Sequence, residues 1–89
     1  MSEAILGTGR RKSSVARVRL TEGTGEYTFN GKTMEQYFPS PNMRMRVNKP
    51  FNVVEMDKQF DLHVTLNGSG LSAQADAVAL GISRALIQF

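Results

Sequence analysis

Gly7-Thr8-Gly9-Arg10-Arg11-Lys12-Ser13-Ser14-Val15-Ala16-Arg17-Val18-Arg19 is the stretch around which the chain is organised. Five of the eleven Lys and Arg residues lie between positions 10 and 19, with no acid among them. The rest of the chain holds six bases against all eight acids, so the net charge of +3 arises from these ten positions. A positive field this concentrated, beside a glycine-rich turn at Gly7 to Lys12, suits a polyanion better than a small substrate. The plainer alternative is a solvated charged face. From Ser14 to Leu20 the pattern alternates, with Ala16, Val18 and Leu20 on one side and Val15, Arg17 and Arg19 on the other. That is a strand with one apolar and one largely basic face.

Working outward, Thr21 to Gly25 reads as a turn, and Glu26 to Asn30 as a second strand with Tyr27 and Phe29 on one side. Thr33-Met34-Glu35-Gln36 has capping-box spacing and predicts a short helix reaching Tyr37-Phe38, stopped by Pro39-Ser40-Pro41-Asn42. Met43 to Lys49 is ambiguous between an alternating strand and a short helix, and Pro50 biases Lys49 toward an extended conformation. Phe51 to Val54, a turn near Asp57-Lys58, and Phe60 to Asn67 read as a hairpin. Its second arm points Phe60, Leu62, Val64 and Leu66 inward and Asp61, His63, Thr65 and Asn67 outward. His63 is read as an exposed strand residue rather than a base.

The last unit is Gly68-Ser69-Gly70-Leu71 and a helix from about Ser72, the expected N-cap, to the end. Ala75, Val78, Ala79, Ile82, Ala85, Leu86 and Phe89 form the stripe expected to lie on a sheet. The opposite side, Ala73, Ala77, Leu80, Arg84 and Ile87, is also mostly apolar. A helix apolar on two sides is normally covered on two sides, which predicts more chain or a self-associating partner.

With 89 residues the chain makes one small domain, and its lack of cysteine leaves no disulfide to support it. One histidine and scattered carboxylates provide poorly for metal sites or nucleophilic catalysis, and no cofactor is expected. No run is long enough to span a membrane, and Met1 to Gly9 lacks a signal-peptide layout. The expectation is a soluble, cytoplasmic, non-catalytic binding protein. Two anion sites suggest themselves. One is Gly7 to Lys12. The other is Gly68-Ser69-Gly70, feeding a helix N-terminus, where free N–H groups favour phosphate; an ordinary strand-to-helix turn explains it equally well. Lys12-Ser13 is not a phosphate-binding loop ending, because Arg11 stands where glycine is needed and a strand follows.

The stretch Gly7 to Val18 resembles the opening signature of the S-nine family of small-subunit ribosomal proteins. The resemblance continues through Asn30-Gly31-Lys32, Tyr37-Phe38, Lys49-Pro50, Phe60-Asp61 and Gly81-Ile82-Ser83-Arg84-Ala85-Leu86. It implies an α/β domain of two layers, similar to the second domain of ribosomal protein S-five, with a four-stranded sheet and helices on one side. It also implies binding to the head domain of small-subunit ribosomal RNA, beside neighbouring head proteins. On that footing Arg10, Arg11, Lys12 and Arg17 neutralise phosphates. Gly7 and Gly9 let the backbone reach the RNA, and Thr8, Ser13 and Ser14 bond to phosphate or ribose oxygens.

Ser69 and Ala73 depart from the family's usual glycines, and Ala79 stands where a basic residue is common. The resemblance covers the family's N-terminal globular part, residues 1 to 89 being read as one domain without the helical segment and basic tail that follow in the family. Two other readings compete. One is an engineered or excised, self-associating fragment of that domain. The other is a phosphate-binding module related to small-molecule kinases, whose Gly-Leu-Gly-Ser-Ser-Ala-like loop Gly68 to Ala73 faintly resembles.

Overall fold

A computed structural model describes residues 4–53, 60–68 and 70–88. In chain order these form β1 (Ile5–Arg11), β2 (Ser14–Glu22), β3 (Tyr27–Phe29), α1 (Met34–Tyr37), α2 (Pro41–Val53), β4 (Phe60–Asn67) and α3 (Leu71–Ile87). The four described strands make one sheet in the order β1-β2-β4-β3. The β1–β2 and β2–β4 pairs are antiparallel, and β3 runs parallel to β4. A parallel pair needs a long crossover, and the segment containing α1 and α2 supplies it. The helices cover one face of the sheet and leave the other open. The α+β, four-stranded architecture expected from the sequence is therefore observed.

The β2 and β4 alternations behave as the pattern requires. Ala16, Val18 and Leu20 pair in register with Leu66, Val64 and Leu62, and all six are buried on the helix-covered face. Phe29 and Phe38 close the far side of this core edge to face, with ring centroids 5.4 Å apart. Buried Gln74 is satisfied at both ends: its Oε1 accepts from the Tyr37 hydroxyl at 2.7 Å, and its Nε2 donates to the Gly68 carbonyl at 2.9 Å. The capping box of α1 is also formed. Gln36 N–H donates to Thr33 Oγ1 at 3.2 Å, and Thr33 N–H to Gln36 Oε1 at 3.1 Å.

The stretch read as a glycine-rich turn is instead a strand. β1 pairs with β2 from Ile5↔Leu20 to Arg11↔Ser14, leaving a two-residue turn with Lys12 in the left-handed region at φ 56°. Gly7 and Gly9 alternate inward, where α3 lies directly on the backbone. A Cβ at Gly7 would run into Gly81 O and stand 2.9 Å from Ala85 N; one at Gly9 would run into Ala77 O and stand 2.6 Å from Gly81 N. These glycines are spacers that let a helix with small residues at 77, 81 and 85 dock on the strand. β1 is an edge strand of the sheet. Along it, Arg84 Nη1 donates to Thr8 O at 2.7 Å and Gln88 Nε2 to Leu6 O at 2.8 Å.

The ambiguity at Met43 to Lys49 is resolved, and further expectations are corrected. Met43 to Lys49 belongs to α2, a helix that starts at Pro41, a favourable first position. It buries Val47, with Met43 and Phe51 packed on the core four residues to either side. Phe51 to Val53 is helix, so no hairpin with Phe60–Asn67 forms. Pro50 sits inside α2, in its last turn, where it removes the N–H that would otherwise bond the Arg46 carbonyl. Val54 and Asp57-Lys58 lie outside the described residues.

The N-cap of α3 is Gly70, at φ 87°, with no side-chain cap, and Ser72 is already inside the helix. Its Oγ accepts from Arg46 Nη2 at 3.1 Å, so it ties α2 to α3. Finally, Ala77 is fully buried under β1 rather than on an outward strip. α2 packs along the Asp76–Ala79 side, so what remains outward is Ala73, Leu80, Arg84 and Ile87. Phe89 lies outside the described residues.

Asp61 fixes the loop between β2 and β3. Its Oδ1 accepts from the backbone N–H groups of Thr24 at 3.0 Å, Gly25 at 3.2 Å and Glu26 at 3.0 Å. The Glu26 bond above all, joined by the other two and the nearby His63, holds its carboxyl below the usual carboxylate range despite some opposing desolvation.

Two outcomes follow from this packing. Gly9→Ala must push α3 off β1, and overpacking of this kind costs roughly 1–3 kcal/mol. At about 4–8 °C per kcal/mol for a chain this size, thermal melting should drop visibly, whereas Thr8→Ala on the open face should change it little. Asp61's folded value is depressed, so its contribution is complete above the ordinary carboxylate value and disappears as pH falls through the lower folded one. Hydrogen exchange at Thr24, Gly25 and Glu26 should quicken in Asp61→Asn near neutral pH. The wild type should show an acid-dependent loss of protection in this loop that the variant lacks.

Candidate nucleic-acid interface

The β1–β2 turn lifts Arg10, Arg11, Lys12 and Ser13 into solvent at one end of the sheet. A two-residue connection between paired strands gives those charges a fixed platform rather than a floppy loop. The register then places Thr8 beside Arg17 and Leu6 beside Arg19 on the open face. β4 continues both rows, with Thr65 beside Arg17 and His63 beside Arg19. A shallow concavity of about 870 Å³ lies over them, lined on this face by Leu6, Thr8, Arg17, Arg19, His63 and Thr65.

The sequence-derived site residues divide sharply. Thr8, Arg10, Arg11, Lys12, Ser13 and Arg17 are exposed. Ser14 is wholly buried, facing the interior beneath the loop that precedes α3, so its hydroxyl is withdrawn from any phosphate or ribose. Gly7 and Gly9 face α3, and their lack of a side chain is accounted for by helix packing rather than by approach of a ligand.

The two suggested anion sites turn out to be neighbours. A Cβ on Gly68 would lie 2.5 Å from Ser14 Cα and 2.6 Å from Ser13 O, so the loop before α3 rests on the basic hairpin. Gly68 and Gly70, at φ 111° and 87°, are exposed, whereas Ser69 lies outside the described residues.

Arg11 carries a weak constraint. Its Nε stands 3.8 Å from Asp76 Oδ2, while Asp76 Oδ1 accepts from Arg46 Nη1 at 2.9 Å. An ion pair at that length on an exposed arginine contributes little, so Asp76 serves α2–α3 docking first. Thr65 and His63 are functional candidates that a search for charge runs passes over, whereas Arg19 lies within the basic stretch itself. The outward alternation of β2 and β4 was the available signal, but only strand pairing sets the two outward rows side by side. His63 is exposed as expected, and its Nδ1 lies 2.8 Å from Thr28 Oγ1 on β3.

Among the described residues no three His, Cys, Asp or Glu side chains converge as a metal site, and no helix is long and apolar enough to cross a membrane. What the surface offers is cations and hydroxyls on a rigid sheet, the chemistry of phosphate and sugar recognition. The ribosomal protein S9/S16 family model matches residues 9–89, nearly the whole chain and all of the hairpin tip. The chain belongs to the ribosomal protein S9/S16 family, a family of small-subunit ribosomal proteins.

Proposed function

We propose that the protein is a structural, non-catalytic component of the cytoplasmic ribosome that holds small-subunit ribosomal RNA in the head, next to other head proteins. The observation that carries this reading is the hairpin tip. Arg10, Arg11 and Lys12 are exposed on a two-residue turn whose strands are anchored by the sheet and by α3. Gly68 and Gly70 lie at the same end and extend the surface available to the RNA backbone. The kinase-like alternative draws less support, because Gly68 is engaged in packing on Ser13-Ser14 and its carbonyl in holding Gln74.

Each phosphate neutralised by a basic residue contributes roughly 0.7 to 0.9 to the log–log salt slope. Replacing Arg10, Arg11 and Lys12 with Ala should therefore lower the slope for ribosomal RNA by about two or more in a filter-binding titration. An unchanged slope in a protein that melts like the wild type would leave the hairpin as a solvated charged face.

Self-association of the isolated chain through the end of α3 is a subsidiary proposal, supported by Ile87 at 82% and Leu80 at 38% exposure. Leu80→Glu with Ile87→Lys should shift any oligomer toward monomer in sedimentation velocity, whereas polar changes at buried Val78 or Ile82 should unfold it. A wild type that already sediments as a sharp monomer would remove this proposal.

A further inference from the structure

We infer that the helix-free face of the sheet is a second RNA contact, one that reads phosphate and ribose rather than bases. This rests on the RNA-binding reading above and extends it to residues away from the hairpin tip.

The charge is placed for it. Arg17 and Arg19 both project from the middle of β2, two residues and therefore about 7 Å apart along the strand. Among the described residues no carboxylate forms an ion pair with either. Asp61, the acid on the same face of β4, turns its Oδ1 into the loop at Thr24 to Glu26, where three backbone N–H groups hold it. The face is thus a cationic strip continuous with Arg10 in the next row. A polyanion, with a charge on every phosphate, complements it better than an apolar or basic protein surface, which would leave two desolvated guanidinium groups without partners.

The hydroxyls are placed for it as well. Arg17 is flanked across the sheet by Thr8 on β1 and Thr65 on β4, both exposed. A phosphate held by the guanidinium therefore brings its ribose within reach of hydroxyls that both donate and accept, as the 2′-hydroxyl does. No Phe, Tyr or Trp stands on the outward positions of β1, β2 or β4 among the described residues. Sequence-reading RNA modules lay unstacked bases on such rings. This surface instead suits a folded RNA presenting backbone and the wide, shallow minor groove of an A-form helix.

The test uses the 89-residue chain with transcribed small-subunit ribosomal RNA, and an RNA hairpin beside DNA of the same sequence. Arg17→Ala with Arg19→Ala should reduce the salt slope by roughly one per residue. Lys49→Ala, which removes a charge from the helix layer, should leave it alone. Thr8→Val with Thr65→Val should keep the slope but reduce the preference for RNA over DNA by about 3- to 10-fold, the range of one or two ordinary hydrogen bonds.

An unchanged slope in the arginine variant, with the hairpin triple variant still impaired, overturns this inference and leaves the hairpin reading standing. Wild-type slopes in both variants overturn the two together. Equal losses in the arginine and Lys49 variants overturn it in favour of a non-local charge effect. Equal wild-type affinity for RNA and DNA overturns the ribose contact.

Discussion

The structure depends on how closely α3 can approach β1. A helix normally rests on a sheet through its side chains, but here the strand offers bare Cα atoms at Gly7 and Gly9 and the helix answers with Ala77, Gly81 and Ala85. Much follows from that contact. α3 is drawn over β1 and β2, which buries Val78, Ile82 and Ala85 completely and leaves α2 to cover its other flank. With both long helices on one side, the opposite face of β1, β2 and β4 stays open. The same alternation that sends Gly7 and Gly9 inward sends Thr8 and Arg10 outward, so core and candidate interface are two readings of one strand.

The parts legible in the sequence are those in which a local pattern and the tertiary fold agree. Ser14–Leu20 and Phe60–Asn67 alternate strictly because one face of each is core, and both strands emerged with the correct faces. Thr33 and Gln36 cap each other within four residues, so no distant information was needed.

The errors lie where a tertiary partner supplied the reason. Glycine at positions 7 and 9 signals a turn when read alone, and a docking surface only once α3 is on top of it. Pro50 argues against helix locally, yet the core contacts of Met43, Val47 and Phe51 outweigh it. Ser72 has the chemistry of a cap but is engaged by Arg46, while the backbone at Gly70 makes the turn.

The candidate interface was half legible for the same reason. A run of bases is visible in one dimension, and Arg10, Arg11, Lys12 and Arg17 were found from it. Thr65 and His63 join them only through the antiparallel register of β2 with β4, which couples positions more than forty residues apart. Ser14 was lost from the set by the same alternation that kept Arg17, since the two lie an odd number of residues apart on one strand.

The two side chains that reach from α3 to β1 have a consequence of a different kind. The free side of an outermost strand is a template on which another chain can add itself, and unguarded edges of this sort seed aggregation. Here Arg84 and Gln88 occupy the carbonyls of Thr8 and Leu6, alternate acceptors on the side of β1 away from β2. An incoming strand would first have to displace a guanidinium and an amide from those acceptors. The last turn of α3 thus works as a guard along that edge, covering acceptors of β1 that its pairing with β2 leaves free.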